Sequence, residues 1–309
     1  MSGAARLRIG TRGSALARAQ TDLVCRALAA ARADLAEPGA LEVVVVRTTG
    51  DRVTDRPLAE LGGKGLFCKE LESALLEGEI DLAVHSMKDL PTWLPEGLVI
   101  GAMLEREDVR DVLIAREAGS IAGLPQGAVV GTASLRRQAQ LLARRPDLRV
   151  VNFRGNVETR LRKLAAGEVD ATLLALAGLR RLSLDPGLGT VLAPEEMLPA
   201  VGQGAIGIEC RTSDETARAR LAAIDHPPTS VCVRAERALL AALDGSCHTP
   251  IAGLAEASQG TLRLRALIAR PDGSQCLTTE RRGDAASGEA LGRDAGEELR
   301  ARAGPGFFD

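Results

Sequence analysis

At 309 residues the chain is longer than one hydrophobic core comfortably serves, so two or three domains are expected. Its 45% hydrophobic and 26% charged residues suit an ordinary soluble globular protein, and a net charge of −2 excludes a globally basic nucleic-acid scaffold. Aromatic residues make up only 2%, with no tyrosine, which argues against a base-stacking surface. The six cysteines (Cys25, Cys68, Cys210, Cys232, Cys247 and Cys276) are dispersed without a CxxC pair, so neither a structural zinc site nor a disulfide framework is expected. Three histidines, His85, His226 and His248, leave little material for a His-based metal site. The opening MSGAARLRIG lacks a long apolar core, and no run approaches the ~20 apolar residues of a membrane span; a cytoplasmic chain with no membrane partner is expected.

In chain order, 6–11 reads as a strand and 14–36 as a long Ala/Leu helix with Ser14 near its N-cap. Residues 41–48 hold four consecutive valines and read as a buried strand. Residues 50–65, rich in glycine and charge, read as a long loop. An amphipathic helix follows over 66–77, then short strands over 81–85 and 98–103. The pattern restarts with strands over 111–116 and 128–131, a helix over 134–145 stopped by Pro146, a strand over 149–153, a helix over 157–166 and a strand over 170–175. After Gly178-Leu179-Arg180-Arg181 and the glycine-rich Val201-Gly202-Gln203-Gly204, residues 204–210 read as another strand. Strands alternating with helices imply parallel α/β sheets. From Asp225 onward a helix over 229–242, a loop over 245–250, an antiparallel pair over 261–269 and 275–281 and a helix over 290–303 read as a small α+β domain.

Three junctions repeat one pattern, an apolar run, then Arg with small polar residues, then a helix start: Arg12-Gly13-Ser14, Thr132-Ala133-Ser134-Leu135-Arg136-Arg137 and Arg154-Gly155-Asn156. Unpaired N–H groups and the dipole make a helix N-terminus favourable for anions, and guanidinium forks grip carboxylates bidentately. With Arg160 and Arg181 nearby in sequence, the pattern points to a pocket for a ligand with several carboxylates or phosphates at the C-terminal ends of strands. Burial of so many guanidiniums without partners is disfavoured, so the ligand is expected to supply the charge. Solvated surface arginines are the plainer alternative for any one of them.

Lysine is scarce: Lys64, Lys69, Lys88 and Lys163 are all there are, and the first three share one stretch, by need for an ammonium or by chance. Gly62-Gly63-Lys64-Gly65 lacks the GxxxxGK[ST] spacing of a phosphate loop and fits better as a loop lying over a ligand. Asp89, in His85-Ser86-Met87-Lys88-Asp89-Leu90-Pro91, fits either a general acid/base facing the cleft or a turn aspartate before Leu-Pro. Cys247, in Asp244-Gly245-Ser246-Cys247-His248-Thr249-Pro250, is either a reactive loop thiol or an inert packing cysteine.

At these residues the chain resembles the porphobilinogen deaminase (hydroxymethylbilane synthase) family. The matching segments are RIGTRGSALARAQ (8–20), TTGD (48–51), GGKGLFCKELE (62–72), DLAVHSMKDLP (81–91), VGTASLRRQAQL (130–141), NFRGNVETRL (152–161), AGLRRL (177–182), LPAVGQGAIGIECR (198–211) and GSCHTPIAG (245–253), in family order over nearly the whole chain. The resemblance implies an α/β protein of two periplasmic-binding-protein-like lobes, with the cleft between them, and a third, smaller α+β domain. The implied division is 1–104 with 203–224, then 105–202, then 225–309.

It further implies a monomeric transferase that condenses four porphobilinogen molecules head to tail, with release of ammonia, into hydroxymethylbilane. A dipyrromethane cofactor would be joined to Cys247 by a thioether, and no metal is implied. Asp89 would be the catalytic carboxylate, assisting departure of the amine and stabilising the cation that results. Arg12, Ser14, Lys88, Thr132, Ser134, Arg136, Arg137, Arg154, Gly155 and Asn156 match cofactor-binding positions. Arg12, Arg154, Arg160, Arg181, Gln203 and Lys64 match substrate-binding ones. Ser246 and His248-Thr249 depart from the residues common in the family's cysteine loop, so His248 receives no role. A two-lobed binding protein that holds a polycarboxylate without chemistry is the alternative, and it would have no use for a tethered group at Cys247.

Overall fold

The computed structural model describes residues 6–49, 65, 67–184, 186–245 and 249–308. The chain forms two compact units: Met1–Val53, Gly63–Glu107 and Ala205–Ser230 make the first, and Thr54–Gly62, Asp108–Gly204 and Val231–Asp309 the second.

The first unit opens with β1 (Leu7–Arg12), α1 (Ala15–Ala31) and the short α2 (Ala33–Ala36). Ser14 caps α1, its hydroxyl accepting from Ala17 N–H, and Ala17, Thr21, Val24 and Leu28 recur at helical spacing on the buried face. The expected single helix over 14–36 is broken at Arg32, which takes an extended backbone (φ −140°) while its N–H still bonds Leu28 O. Next come β2 (Leu41–Val46), α3 (Lys69–Leu76), β3 (Leu82–Ser86) and β4 (Leu98–Met103).

In the second unit β5 (Asp111–Ala115), β6 (Val129–Gly131), α4 (Leu135–Arg144), β7 (Arg149–Val151), α5 (Val157–Ala165), β8 (Ala171–Ala175), α6 (Leu176–Arg181) and β9 (Thr190–Val191) follow one another. The chain then returns to the first unit with β10 (Ile206–Arg211) and α7 (Glu215–Ala222). It continues through α8 (Pro227–Ala242), β11 (Ile251–Ser258), β12 (Thr261–Ala269), β13 (Cys276–Asp284) and α9 (Gly288–Ala303).

The two five-stranded sheets share one order, β2-β1-β3-β10-β4 and β7-β6-β8-β5-β9. In each, the first three strands are parallel, and the strand in fourth place runs antiparallel to both neighbours. The expectation of parallel sheets is therefore corrected: both are mixed, because β10 and β5 sit where the chain passes from one unit to the other and enter from the opposite end. The valine-rich β2 is likewise an edge strand rather than a buried one. Val43 and Val45 are 41% and 44% exposed, while Val44 and Val46 pack against the apolar face of α3.

The third sheet, β11-β12-β13, is wholly antiparallel. The buried face of α9, including Ala295 and Leu299, joins Leu239 of α8 and Leu264 and Ile268 of β12 in one core. Burying each such Leu or Ile contributes ~1.5–3 kcal/mol. Elements not foreseen include α6, β9, α7 and β11, the last built of small residues (IAGLAEAS) with little strand signature.

Candidate active site

In the first unit β1 and β3 lie side by side and parallel, Gly10 opposite Ala83, so their C-terminal ends open on one sheet edge. β1 ends at Arg12 and leads into the α1 N-cap at Ser14. The Arg12 guanidinium carbon lies 4.1 Å from the centre of the Phe67 ring, a cation–π arrangement. β3 leads directly into a single 3-10 turn, Met87–Asp89, anchored by Met87 N–H donating to Ala205 O (3.0 Å). Lys88 and Asp89, both half-buried, thus stand on the same edge as Arg12 and Ser14.

Behind this edge lies a buried acidic cluster. His85 Nε2 pairs with Glu209 Oε2 of β10 at 2.9 Å, and both side chains are almost wholly buried. Burial, and then the neighbouring Glu209, push the carboxyl of Glu72 above the usual carboxylate range. Burial and a bond to Glu72 likewise push the Cys68 thiol far up. His85 is therefore a core histidine that holds β3 to β10.

In the second unit the parallel order β7-β6-β8 brings two of the Arg junctions to one sheet edge. After β6, Ser134 N–H donates to Thr132 Oγ1 (3.1 Å), and Ser134 Oγ accepts from Arg137 N–H to cap α4. After β7, Arg154 leads to Gly155, whose φ of +127° suits glycine alone; a Cβ there would lie 2.8 Å from Thr159 Cγ2. Asn156 then caps α5 by accepting from Thr159 N–H (2.9 Å), and Arg160 Nε donates back to Gly155 O (2.8 Å). At the end of α6, Arg181 Nη2 donates to Gly204 O (2.6 Å). All three junctions are thus helix N-termini with one capped N–H each.

Arg136 and Arg137 differ from the expectation that a ligand must supply their counter-charge. Their side chains are 5% and 7% exposed, and the buried Asp111 at the head of β5 meets both: Arg136 Nη2 at 2.8 Å from Oδ2 and Arg137 Nη2 at 2.7 Å from Oδ1. Arg136 Nη1 also donates to Leu198 O and Arg137 Nη1 to Leu173 O, each at 2.8 Å. Burial still lowers the Arg136 guanidinium below its ordinary pKa; Asp111 opposes this and Arg137 adds to it. Gln203, buried, donates through Nε2 to Asp111 Oδ1 (2.9 Å) and Val109 O (2.7 Å). The preceding Gly202 N–H is held by Glu236 of α8, which also accepts from Ala255 N–H. The turn 201–204 therefore ties Asp111, Arg181 and α8 together.

Asp111, Glu209 and Glu236 were missed by reading the sequence for cations. The signal for the first two is a carboxylate heading or set within an apolar run, DVLIA and IGIEC; Glu236, between Arg234 and Arg237 in a helical stretch, carries none. Cys247 and Lys64, with Ser246, His248 and most of 50–65, lie outside the described residues. The donor set that is described fits a polycarboxylate such as a dipyrromethane with acetate and propionate arms. In the second unit it comprises two Arg-bearing helix N-termini, one of which carries Arg136 and Arg137 around Asp111.

The family profile "Porphobilinogen deaminase, dipyromethane cofactor binding domain" matches residues 7–219, and "Porphobilinogen deaminase, C-terminal domain" matches 230–301. A chloroplastic porphobilinogen deaminase from Oryza sativa subsp. japonica is 56% identical over 98% of this chain and 86% of its own length. A porphobilinogen deaminase from Paracoccus denitrificans is 58% identical over 98% of this chain and 96% of its own. Among solved structures, a putative methionine-binding lipoprotein from Bacillus subtilis overlays 72% of this chain and 91% of its own, with a TM-score of 0.42 and 14% identity. With both profiles matched in order and more than half of the residues shared with such relatives, the chain belongs to the porphobilinogen deaminase family.

Proposed function

We infer that Asp89 is the catalytic carboxylate of this chain and Cys247 the residue to which its dipyrromethane cofactor is attached. The activity is that of a hydroxymethylbilane synthase of tetrapyrrole (haem) biosynthesis, a transferase that condenses four porphobilinogen molecules head to tail and releases ammonia. The cofactor, when bound, supplies two pyrrole units on which the product chain is held.

The observation that supports Asp89 is its place: it follows β3 on the same sheet edge as Arg12 and Ser14 and directly beside Lys88. A carboxylate there accepts hydrogen bonds from pyrrole N–H groups and stabilises the positive charge that develops on substrate as its amine departs. Arg12, Ser14, Lys88, Thr132, Ser134, Arg136, Arg137, Arg154, Gly155 and Asn156 serve the cofactor's acetate and propionate groups. Arg12, Arg154, Arg160, Arg181, Gln203 and Lys64 serve those of the substrate. Each added ring brings two more carboxylates, so neutralisation by fixed cations matters more with every turn of the reaction.

We assign the first domain to 1–104 and 203–224, the second to 105–202 and the third, which carries Cys247, to 225–309. The chain acts as a cytoplasmic monomer with porphobilinogen as its partner and neither nucleic acid nor membrane. A near-neutral net charge supports this, and among the described residues no helix is long and apolar enough to cross a membrane.

Mass spectrometry of the purified protein tests the attachment. An adduct of two pyrrole units, lost in Cys247→Ser, is expected; an active but unmodified protein overturns it. Asp89→Asn should lower kcat on the order of 100-fold while the adduct stays on. Near-normal turnover removes Asp89 from the chemistry.

A further inference from the structure

We infer that Asp111 is a positioning residue for the reaction: one buried carboxylate that aligns Arg136, Arg137 and the Gln203 turn and leaves their cluster one positive charge in excess for an anionic ligand. This rests on the reading that Arg136 and Arg137 serve the cofactor's carboxylates.

Asp111 is fully buried at the head of β5, and its two oxygens are divided between the guanidiniums, Oδ1 to Arg137 (2.7 Å) and Oδ2 to Arg136 (2.8 Å). Each guanidinium is fixed at a second point by a backbone carbonyl, Leu198 O or Leu173 O. The Nε of each is buried with no hydrogen-bond partner among the described residues. Leu198 is itself locked from both sides by Gln140, whose Nε2 donates to Leu198 O (3.0 Å) and whose Oε1 accepts from Leu198 N–H (2.8 Å). Neither arginine can swing away without leaving a buried acceptor or charge exposed to nothing.

Two guanidiniums around one carboxylate sum to a net charge of one, held where charge is poorly screened. Both arginines lie in the first turn of α4, one turn from the Thr132–Ser134 junction, so this excess adds to the positive end of the helix dipole at that junction. The cluster therefore favours an anion through its field, even though the guanidinium hydrogens are largely committed inward. Asp111 sets both the size of that field and, through Gln203, the position of the turn whose Gly204 carbonyl receives Arg181.

The test is a mutant cycle in the full-length chain. It compares Asp111→Asn, the pair Arg136→Gln/Arg137→Gln, and all three changes together. The rate at which apoprotein gains its pyrrole adduct from porphobilinogen is followed by mass spectrometry, alongside kcat and KM. Asp111→Asn raises the cluster's charge but releases both guanidiniums from their common anchor, and this loss of alignment is expected to slow adduct formation roughly tenfold or more. In the arginine-deficient background it should cause no further loss, and should relieve the carboxylate left there without its arginines, because a residue that acts through the arginines has nothing left to act on. Wild-type behaviour of Asp111→Asn, or an undiminished additional loss in the triple variant, overturns the inference.

If the arginine pair alone forms adduct normally, it is the cofactor-binding reading that fails. If that pair is impaired and Asp111→Asn is not, only the positioning role fails. Should Asp111→Asn not accumulate as folded protein, Asp111→Asn/Arg136→Met restores the net charge of one and is expected to recover accumulation. Failure of that rescue also overturns the inference.

Discussion

The two five-stranded sheets are alike in strand order and opposite in the charge they bury. In both, a buried acid sits on the antiparallel strand in fourth place: Glu209 on β10 and Asp111 on β5. Glu209 meets one imidazole and has a second buried carboxyl, Glu72, close enough to raise the latter's pKa. Asp111 meets two guanidiniums. The first sheet thus carries surplus acid behind the edge that bears Asp89, and the second carries surplus base behind the edge that bears Ser134. Each sheet has its acid on the same strand of the order, mid-strand in β10 and at the head of β5; the neighbouring residues, His85 on β3 or Arg136 and Arg137 on α4, decide the sign of what remains. One architecture therefore supplies a face backed by carboxylates and a face backed by guanidiniums.

The contrast can be broken most severely at His85. His85→Ala leaves Glu209 buried with its partner gone, and a loss of about 3 kcal/mol is expected from urea unfolding monitored by circular dichroism. A loss well under 1 kcal/mol would mean that the His85–Glu209 contact contributes little and that the two sheets differ less than their contacts suggest.

A smaller effect sharpens the comparison at the helix starts. Ser14→Ala, Ser134→Ala and Asn156→Ala each remove one capping acceptor and should cost ~1 kcal/mol in the same unfolding measurement. Ser134→Ala is expected to cost the most, since its loss also loosens the helix turn that holds Arg136 and Arg137. Equal losses at the three positions would show that the buried cluster gains nothing from the cap.

The smallest effect is one of pH. Because the folded Glu72 carboxyl lies above its ordinary value of 4.5, its favourable contribution is complete below that value and fades as pH rises through the raised folded value. Glu72→Gln should match wild type in melting temperature under acid conditions and exceed it increasingly toward neutral pH. A constant difference at every pH would remove the acid surplus from the first sheet.

Much of this was legible in the residues, and the exceptions have a common cause. The strand at Leu98–Met103 and that at Thr261–Ala269 match the sequence reading at both ends, because the surrounding turns are marked by local chemistry. Ser14, Ser134 and Asn156 were readable as helix starts for the same reason, since a cap is a contact over three residues. The four valines of β2 were misread as buried because a run of β-branched residues suits an edge strand against a helix as well as a central one. The antiparallel entry of β5 and β10 could not be read, since pairing between Glu209 and Ala83 spans more than a hundred positions. Asp111 was passed over for a related reason. Arginines in a row suggest an external anion, and only the folded chain brings a carboxylate from 25 positions upstream of Arg136 to meet them.

The placement of β10 has a consequence for how the protein is born on the ribosome. That strand lies between β3 and β4, so β4 has no neighbour in its sheet until residue 211 has been translated. All five strands of the other sheet fall within 111–191 and are available earlier. Translation therefore finishes the later-encoded sheet first, and the amino-terminal one waits, with β4 unpaired, for a strand made about a hundred residues afterwards.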